Sequence, residues 1–267
     1  MQVTRPTLEA ILADARRRAS GLHERRRDLE RRAREAPPAR PFGVPFRGAL
    51  VGVIAEVKRR SPSAGPIRPS LDPVTHAGAY VAGGAVAISV LTDERHFGGS
   101  LDDLARVAEA VSVPVLRKDF VVDELQLLES RGGGASVVLL IVRALPPADL
   151  RSLATAARGY GLATLVEAHT QAELDLALSV DPDAIGVNSR DLGTYAVSLD
   201  VAERLVTRVP RDTLAVAESG IEQRADVERL AKVGADLVLV GTAVARADDP
   251  TAAVRALTGV PRVERSA

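Results

Sequence analysis

The chain has 267 residues, 35 basic and 35 acidic side chains, and no cysteine. That length suits one α/β domain able to bury a core without disulfides, and the absent thiols remove cysteine nucleophiles and thiolate metal sites. The balanced charge argues against nucleic acid or an anionic membrane as a partner. With no apolar run near the ~18 residues of a bilayer span and no secretory signal in residues 1–9, a cytoplasmic protein is expected.

Residues 7–35 carry Leu8, Ile11, Leu12, Ala15, Ala19 and Leu22 at helical spacing, which predicts one or two amphipathic helices. The basic run Arg25, Arg26, Arg27, Arg31 and Arg32 is interleaved with Glu24, Asp28 and Glu30. It reads as a solvated, ion-paired helix face, not as a nucleic-acid arm. A Pro-rich connector, Pro37, Pro38 and Pro41, follows, with Phe42 and Phe46 available to pack on the next element.

From residue 51 the pattern becomes regular. Apolar runs at 51–57, 85–91, 113–116, 136–142, 163–166, 184–187, 214–217 and 236–240 alternate with stretches of helical periodicity, among them 101–111, 147–160, 171–180, 201–209 and 223–233. Strands alternating with helices of this length make parallel βαβ units, and near-continuous apolar strands are buried on both faces. Eight such units predict a single (β/α)8 TIM barrel. Residues 1–46 form an N-terminal helical extension and connector, 47–259 the barrel and 260–267 a tail. Gly132, Gly133 and Gly134 precede a strand and do not open a helix, so they are no dinucleotide fingerprint.

In such a barrel the chemistry sits at the C-terminal ends of the strands. The first run ends in Glu56 and Lys58, which alternation turns to the same side. The third ends in Lys118, the fifth in Glu167, the sixth in Asn188 and Arg190, and the seventh in Glu218 and Ser219. Only three lysines, Lys58, Lys118 and Lys232, and a single asparagine, Asn188, occur in the chain. Two of those lysines and the asparagine fall on strand ends, where ammonium and carboxylate groups suit general acid–base catalysis. Ser219 with Gly220, and Gly241 with Thr242, stand after the seventh and eighth strands, the recurrent phosphate site of these barrels. His23, His76, His96 and His169 lack ligand spacing, so no metal is expected. Phe97, in a Gly-rich loop after the second strand, could cover a planar ring or pack on the N-terminal helix.

The segment from Ile54 to Gly65, containing Glu56, Lys58, Arg59, Arg60, Ser61, Pro62 and Ser63, resembles a signature of the indole-3-glycerol phosphate synthase family. The same order of motifs continues through Ser89–Asp93, Phe97–Ser100, Leu116–Phe120, Leu165–His169, Gly186–Leu192 and Ala217–Ile221, so the likeness runs from about Thr7 to Gly259. The resemblance implies ring closure, decarboxylation and dehydration of 1-(2-carboxyphenylamino)-1-deoxyribulose 5-phosphate, in tryptophan biosynthesis, without cofactor or metal. It implies that Lys118 is the general acid on the ketone oxygen, with Glu167 and Lys58 serving the dehydration. Glu56 and Asn188 would orient these groups and the substrate. Ser61 and Arg190 would lie near the anthranilate end and Phe97 on the apolar wall. Ser219, Gly220, Gly241 and Thr242 would hold the phosphate, with Glu218 beside them in the substrate site. A monomer is expected rather than a homodimer, with a phosphorylated small molecule as its partner and neither nucleic acid nor membrane.

Two features depart from the family pattern: the run of three glycines and the Pro-rich connector, neither at a proposed catalytic position. Phosphoribosylanthranilate isomerase, a barrel with a similar layout at the seventh and eighth strands, uses a cysteine base that this chain lacks. A catalytically silent binding barrel would show decay at Glu56, Lys58, Lys118 or Glu167, and all four are present.

Overall fold

The computed structural model describes residues 6–43, 46, 48–191 and 193–265. Leu192, at the end of the sixth-strand motif, the first five residues and the last two residues of the tail lie outside the described residues.

Among the described residues, two helices joined by a 3-10 turn open the chain ahead of the first strand. Thr7 caps α1 (Leu8–Ser20) by accepting from the Ala10 N–H. After a short 3-10 turn (His23–Arg25), α2 spans Arg26–Glu35. The basic run is ion-paired as its interleaving predicts, with Arg31 to Asp28 and Glu35 and Arg26 to Glu30. The rings of Phe42 and Phe46 then pack 5.2 Å apart against the core.

The first strand, β1 (Gly52–Val57), leads into a small hairpin, β2 (Arg60–Ser61) with β3 (Gly65–Pro66), that the periodicity did not reveal. Then come α3 (Pro73–Ala82), β4 (Ala87–Leu91), α4 (Glu94–Phe97), α5 (Leu101–Ala110), β5 (Val115–Lys118), α6 (Glu124–Gly132) and β6 (Val137–Ile141). The second half runs α7 (Pro147–Gly159), β7 (Ala163–Ala168), α8 (Gln171–Leu178), β8 (Ala184–Asn188), α9 (Leu199–Val206), β9 (Leu214–Glu218), α10 (Arg224–Lys232), β10 (Leu237–Val240), α11 (Thr242–Arg246) and α12 (Pro250–Leu257). Local chemistry starts many of these helices. Asp72, Asp93, Ser100, Asp123, Thr170 and Asp249 each accept a backbone N–H of the first turn, and Pro73, Pro147 and Pro250 sit where the missing N–H costs nothing. β5 begins two residues later than its apolar run, after Pro114, which has no N–H for the ladder.

Eight strands close into one parallel barrel in the order β1-β10-β9-β8-β7-β6-β5-β4. This is the expected TIM barrel, with the N-terminal helices present. Alternation splits each strand. Val53, Ala55, Val90, Val138, Val166 and Val187 are buried under the helices, while Leu116, Leu139, Leu165 and Leu239 have the parity that fills the barrel interior. The glycine run is a helix ending: Gly132 closes α6, Gly133 caps it and Gly134 adopts a positive φ of 82° before β6.

The N-terminal face of the barrel is closed by a charged clasp. Arg265 is buried and donates to the carbonyls of Val209, Pro210, Thr213 and Gly234 and to the Asp236 carboxylate at 2.6 Å. Arg262 reaches the other Asp236 oxygen at 2.6 Å. Arg265→Ala would leave these acceptors buried and half-satisfied. We expect it to lower unfolding free energy by about 2–4 kcal/mol, measured by urea denaturation, and a loss below about 0.5 kcal/mol would refute the clasp.

Candidate active site

The barrel register decides which strand ends meet. Glu56 lies beside Ser89, Leu91 beside Lys118, Ile141 beside Glu167, and Asn188 beside Glu218. These inward-facing positions open into a cavity of about 550 Å³ at the C-terminal end. Every site residue expected from the sequence lines it: Glu56, Lys58, Ser61, Phe97, Lys118, Glu167, Asn188, Arg190, Glu218, Ser219, Gly220, Gly241 and Thr242.

Lys118 stands at the centre. Its ammonium donates to Glu167 at 3.2 Å and lies 3.3 Å from Glu218. Lys58 pairs with Glu56 at 2.7 Å, and the Ser89 hydroxyl donates to the other Glu56 oxygen at 3.2 Å. The three carboxylates are each at least 95% buried. Two ammoniums therefore face three buried carboxylates, and the charges sort accordingly. Burial works against ionising Glu56, but Lys58 and Lys118 outweigh it and hold the carboxyl below its usual range. Burial likewise opposes Glu167, and Lys118 with His169 outweighs it. Burial would lower Lys118, yet Glu218, Glu167 and Glu56 hold it well above an ordinary lysine. Glu218 is left short of positive charge. Burial, with the neighbouring Glu167 and Glu56 set against Lys118, pushes it up to about 7.

Two glycines make room for this cluster. A Cβ at Gly186 would come within 2.2 Å of the Glu218 carboxylate, and one at Gly241 within 2.5 Å of Glu56 and 2.8 Å of the Lys58 ammonium. At the rim, Ser219 and Gly220 both hold left-handed backbone, with φ of 67° and 78°. Gly241 caps α11, whose first residue is Thr242. Asn188 accepts the Arg190 N–H at 2.9 Å, and the Arg190 guanidinium donates to the Tyr195 carbonyl. Phe97 lies 6.4 Å from Phe120 and lines the cavity, as do Leu8 and Ile11 of α1.

Several cavity groups went unread in the sequence: Leu8, Ile11, Tyr195 and Arg246. Tyr195 reaches across to the extension, its hydroxyl donating to the Pro6 carbonyl at 2.6 Å. Arg117, next to Lys118, faces outward and instead bonds Ser130, Asp119 and the Gln126 carbonyl. Arg18 of α1 bridges Asp93 at 2.7 Å and Asp119 at 2.8 Å, tying the extension to the start of α4, which ends in Phe97, and to the end of β5 at Lys118. No motif marks these pairs, because their partners are 75 and 101 residues apart.

A closed parallel barrel with ammonium–carboxylate pairs in its mouth and glycine–hydroxyl turns after its last two strands defines an acid–base enzyme of the (β/α)8 class. Within that class, the chain belongs to the indole-3-glycerol phosphate synthase family, whose model matches residues 8–257. A protein named indole-3-glycerol phosphate synthase from Nocardioides sp. is 49% identical over 233 residues, covering 87% of this chain and 90% of that protein. One named indole-3-glycerol phosphate synthase 2 from Streptomyces coelicolor is 45% identical over 258 residues, covering 94% and 100%. Among solved structures, a thiamine phosphate pyrophosphorylase from Pyrococcus furiosus superposes with a TM-score of 0.59 at 18% identity over 79% of this chain and 95% of that one. The 3-hexulose-6-phosphate synthase from Salmonella typhimurium gives 0.59 at 17% over 78% and 96%. These two share the barrel fold.

The raised Glu218 makes stability depend on pH. An unfolded carboxyl titrates near 4.5 and the folded one near 7, so the folded state keeps a proton the unfolded state has released. The stabilisation is full below the unfolded value and is lost as pH rises through the folded one. The melting temperature of the wild type should therefore fall, relative to Glu218→Gln, between pH 5 and pH 8. Parallel melting curves across that window would remove the assignment.

Proposed function

We propose that this protein converts 1-(2-carboxyphenylamino)-1-deoxyribulose 5-phosphate to indole-3-glycerol phosphate, a step of tryptophan biosynthesis. The observation that carries this reading is the Lys118 ammonium held between Glu167 and Glu218 at the floor of a cavity ringed by Lys58, Arg190 and Arg246. The substrate brings a carboxylate and a phosphate, and those cations match both. The reaction releases carbon dioxide and water with no net oxidation or reduction, so its balance calls for no redox cofactor, and we assign neither cofactor nor metal.

Ring closure joins an aromatic carbon to the ketone carbon, and the electron pair of the C=O bond moves onto oxygen. Lys118 is the general acid there. Carboxylates keep it charged, so it offers a fixed donor to that oxygen from a buried position. Loss of carbon dioxide then restores the aromatic ring. In the dehydration the new hydroxyl leaves as water with a proton from Lys58, and Glu167 takes the proton given up by the five-membered ring. Glu56 holds Lys58 in place, and Asn188 orients the substrate with Arg190 and Ser61 at the anthranilate end. Phe97 covers the ring. Ser219, Gly220, Gly241 and Thr242 receive the phosphate, a role that their small residues and hydroxyls suit, with Glu218 setting the position of Lys118 beside them.

We further read the chain as one domain, with residues 1–46 as an extension and connector, 47–259 as the barrel and 260–267 as a tail. We read it as a cytoplasmic monomer that engages a phosphorylated small molecule and neither nucleic acid nor membrane. The described residues contain no helix long and apolar enough to cross a membrane.

The test uses the chain's lack of tryptophan, which keeps the fluorescence background low. Indole emission should grow saturably when protein meets the substrate without added metal. Lys118→Ala should reduce that rate by roughly 10³-fold or more while the circular dichroism stays unchanged. Near-normal turnover in the folded variant would overturn the role, and no signal from the wild type would overturn the reaction.

A further inference from the structure

Behind Glu167 lies a buried histidine that the reaction scheme does not use. His169 is 7% exposed and does not line the cavity. Its Nδ1 is 3.2 Å from the Glu173 carboxylate, which also accepts the His169 backbone N–H at 2.8 Å. Glu173, in the first turn of α8, is gripped in turn by Arg143 at 2.8 and 2.9 Å. Burial opposes the charge on Glu173, but the bonds from His169 and Arg143 outweigh it and hold the carboxyl at about 2. An ionised carboxylate can only accept, so the proton on this side of the ring belongs to Nδ1. The ring is thereby fixed, and its other nitrogen points one way. Nε2 lies 3.5 Å from the Glu167 carboxylate and makes no hydrogen bond among the described residues.

A buried, unpartnered nitrogen aimed at a buried carboxylate calls for a reason. We propose that His169, locked by Glu173 and Arg143, is a positioning residue that holds Glu167 in its working place and supports its charged form. The proposal rests on the reading of Glu167 as the base of the dehydration. A proton carried on Nε2 is offered to Glu167 Oε1, while Lys118 donates to Oε2. The carboxylate is then held at both oxygens, from β5 on one and from the residue after β7 on the other. The groups that face this ring are Glu167 on β7 and Glu173 on α8. Arg143, in the turn after β6, stands behind Glu173, and Asp191 lies 3.7 Å beyond that guanidinium. Lys118 lies on the far side of Glu167.

Removing the imidazole takes away one of the groups that favour ionised Glu167, so the base should protonate at higher pH. The experiment compares wild type, His169→Gln, Glu173→Gln and Glu167→Gln in the indole fluorescence assay across pH. His169→Gln is expected to lower kcat roughly tenfold, a fraction of a full general-base contribution, with KM nearly unchanged. The acid limb of its kcat profile should move up by about one pH unit. Glu173→Gln should move the limb in the same direction by less, and it carries the test alone if His169→Gln does not fold. A purely structural histidine would lower the melting temperature and leave the acid limb where it was, and that result would overturn the proposal. Glu167→Gln separates the two readings. An inactive Glu167→Gln beside an unaltered His169→Gln sinks the positioning role alone, whereas an active Glu167→Gln removes the base assignment and the proposal with it.

Discussion

An ammonium buried among carboxylates needs its charge balanced at close range, and the mouth of this barrel is arranged around that need. Lys118 touches both Glu167 and Glu218, and Lys58 touches Glu56. Removing Lys58, Lys118, Glu56 or Glu167 leaves an uncompensated buried charge, which costs several kcal/mol. The scaffold yields to the cluster. Positions 186 and 241 carry no side chain because a carboxylate or an ammonium already occupies the space. The odd carboxylate, Glu218, holds its proton into the neutral range.

The barrel separates duties by face. At the C-terminal end the polar groups are crowded, partly frustrated and open to a cavity. At the N-terminal end the charges of Arg262, Arg265 and Asp236 are matched closely, with carbonyls absorbing the remaining donors. Between the faces, outward side chains such as Arg117 bind strands to helices and leave the interior to Leu116, Leu139 and Leu165.

The N-terminal extension belongs to the mouth. Arg18 spans Asp93 and Asp119, Asp14 meets His96, and Tyr195 reaches back to Pro6. Leu8 and Ile11 then become part of the cavity wall.

Periodicity alone determined the eight strands and their inward faces, because alternation is a local property of an extended chain. It therefore located Glu56, Lys58, Lys118, Glu167, Asn188 and Glu218 at strand ends before any contact was known. Helices such as α4, α6 and α11 were harder to read. They are short, and caps at Asp93, Asp123 and Gly241 define them more than any stripe does. Which strand end faces which was decided only by closure of the sheet. A register shift of one residue would turn Lys118 toward the helices and Arg117 inward. Tertiary structure also chose Glu218, not solvent, as the second partner of Lys118, and joined His169 to Glu167 through a helix cap at Glu173. Those pairings depend on distances across the barrel and on exclusion of water, and neither quantity is written in the order of the residues.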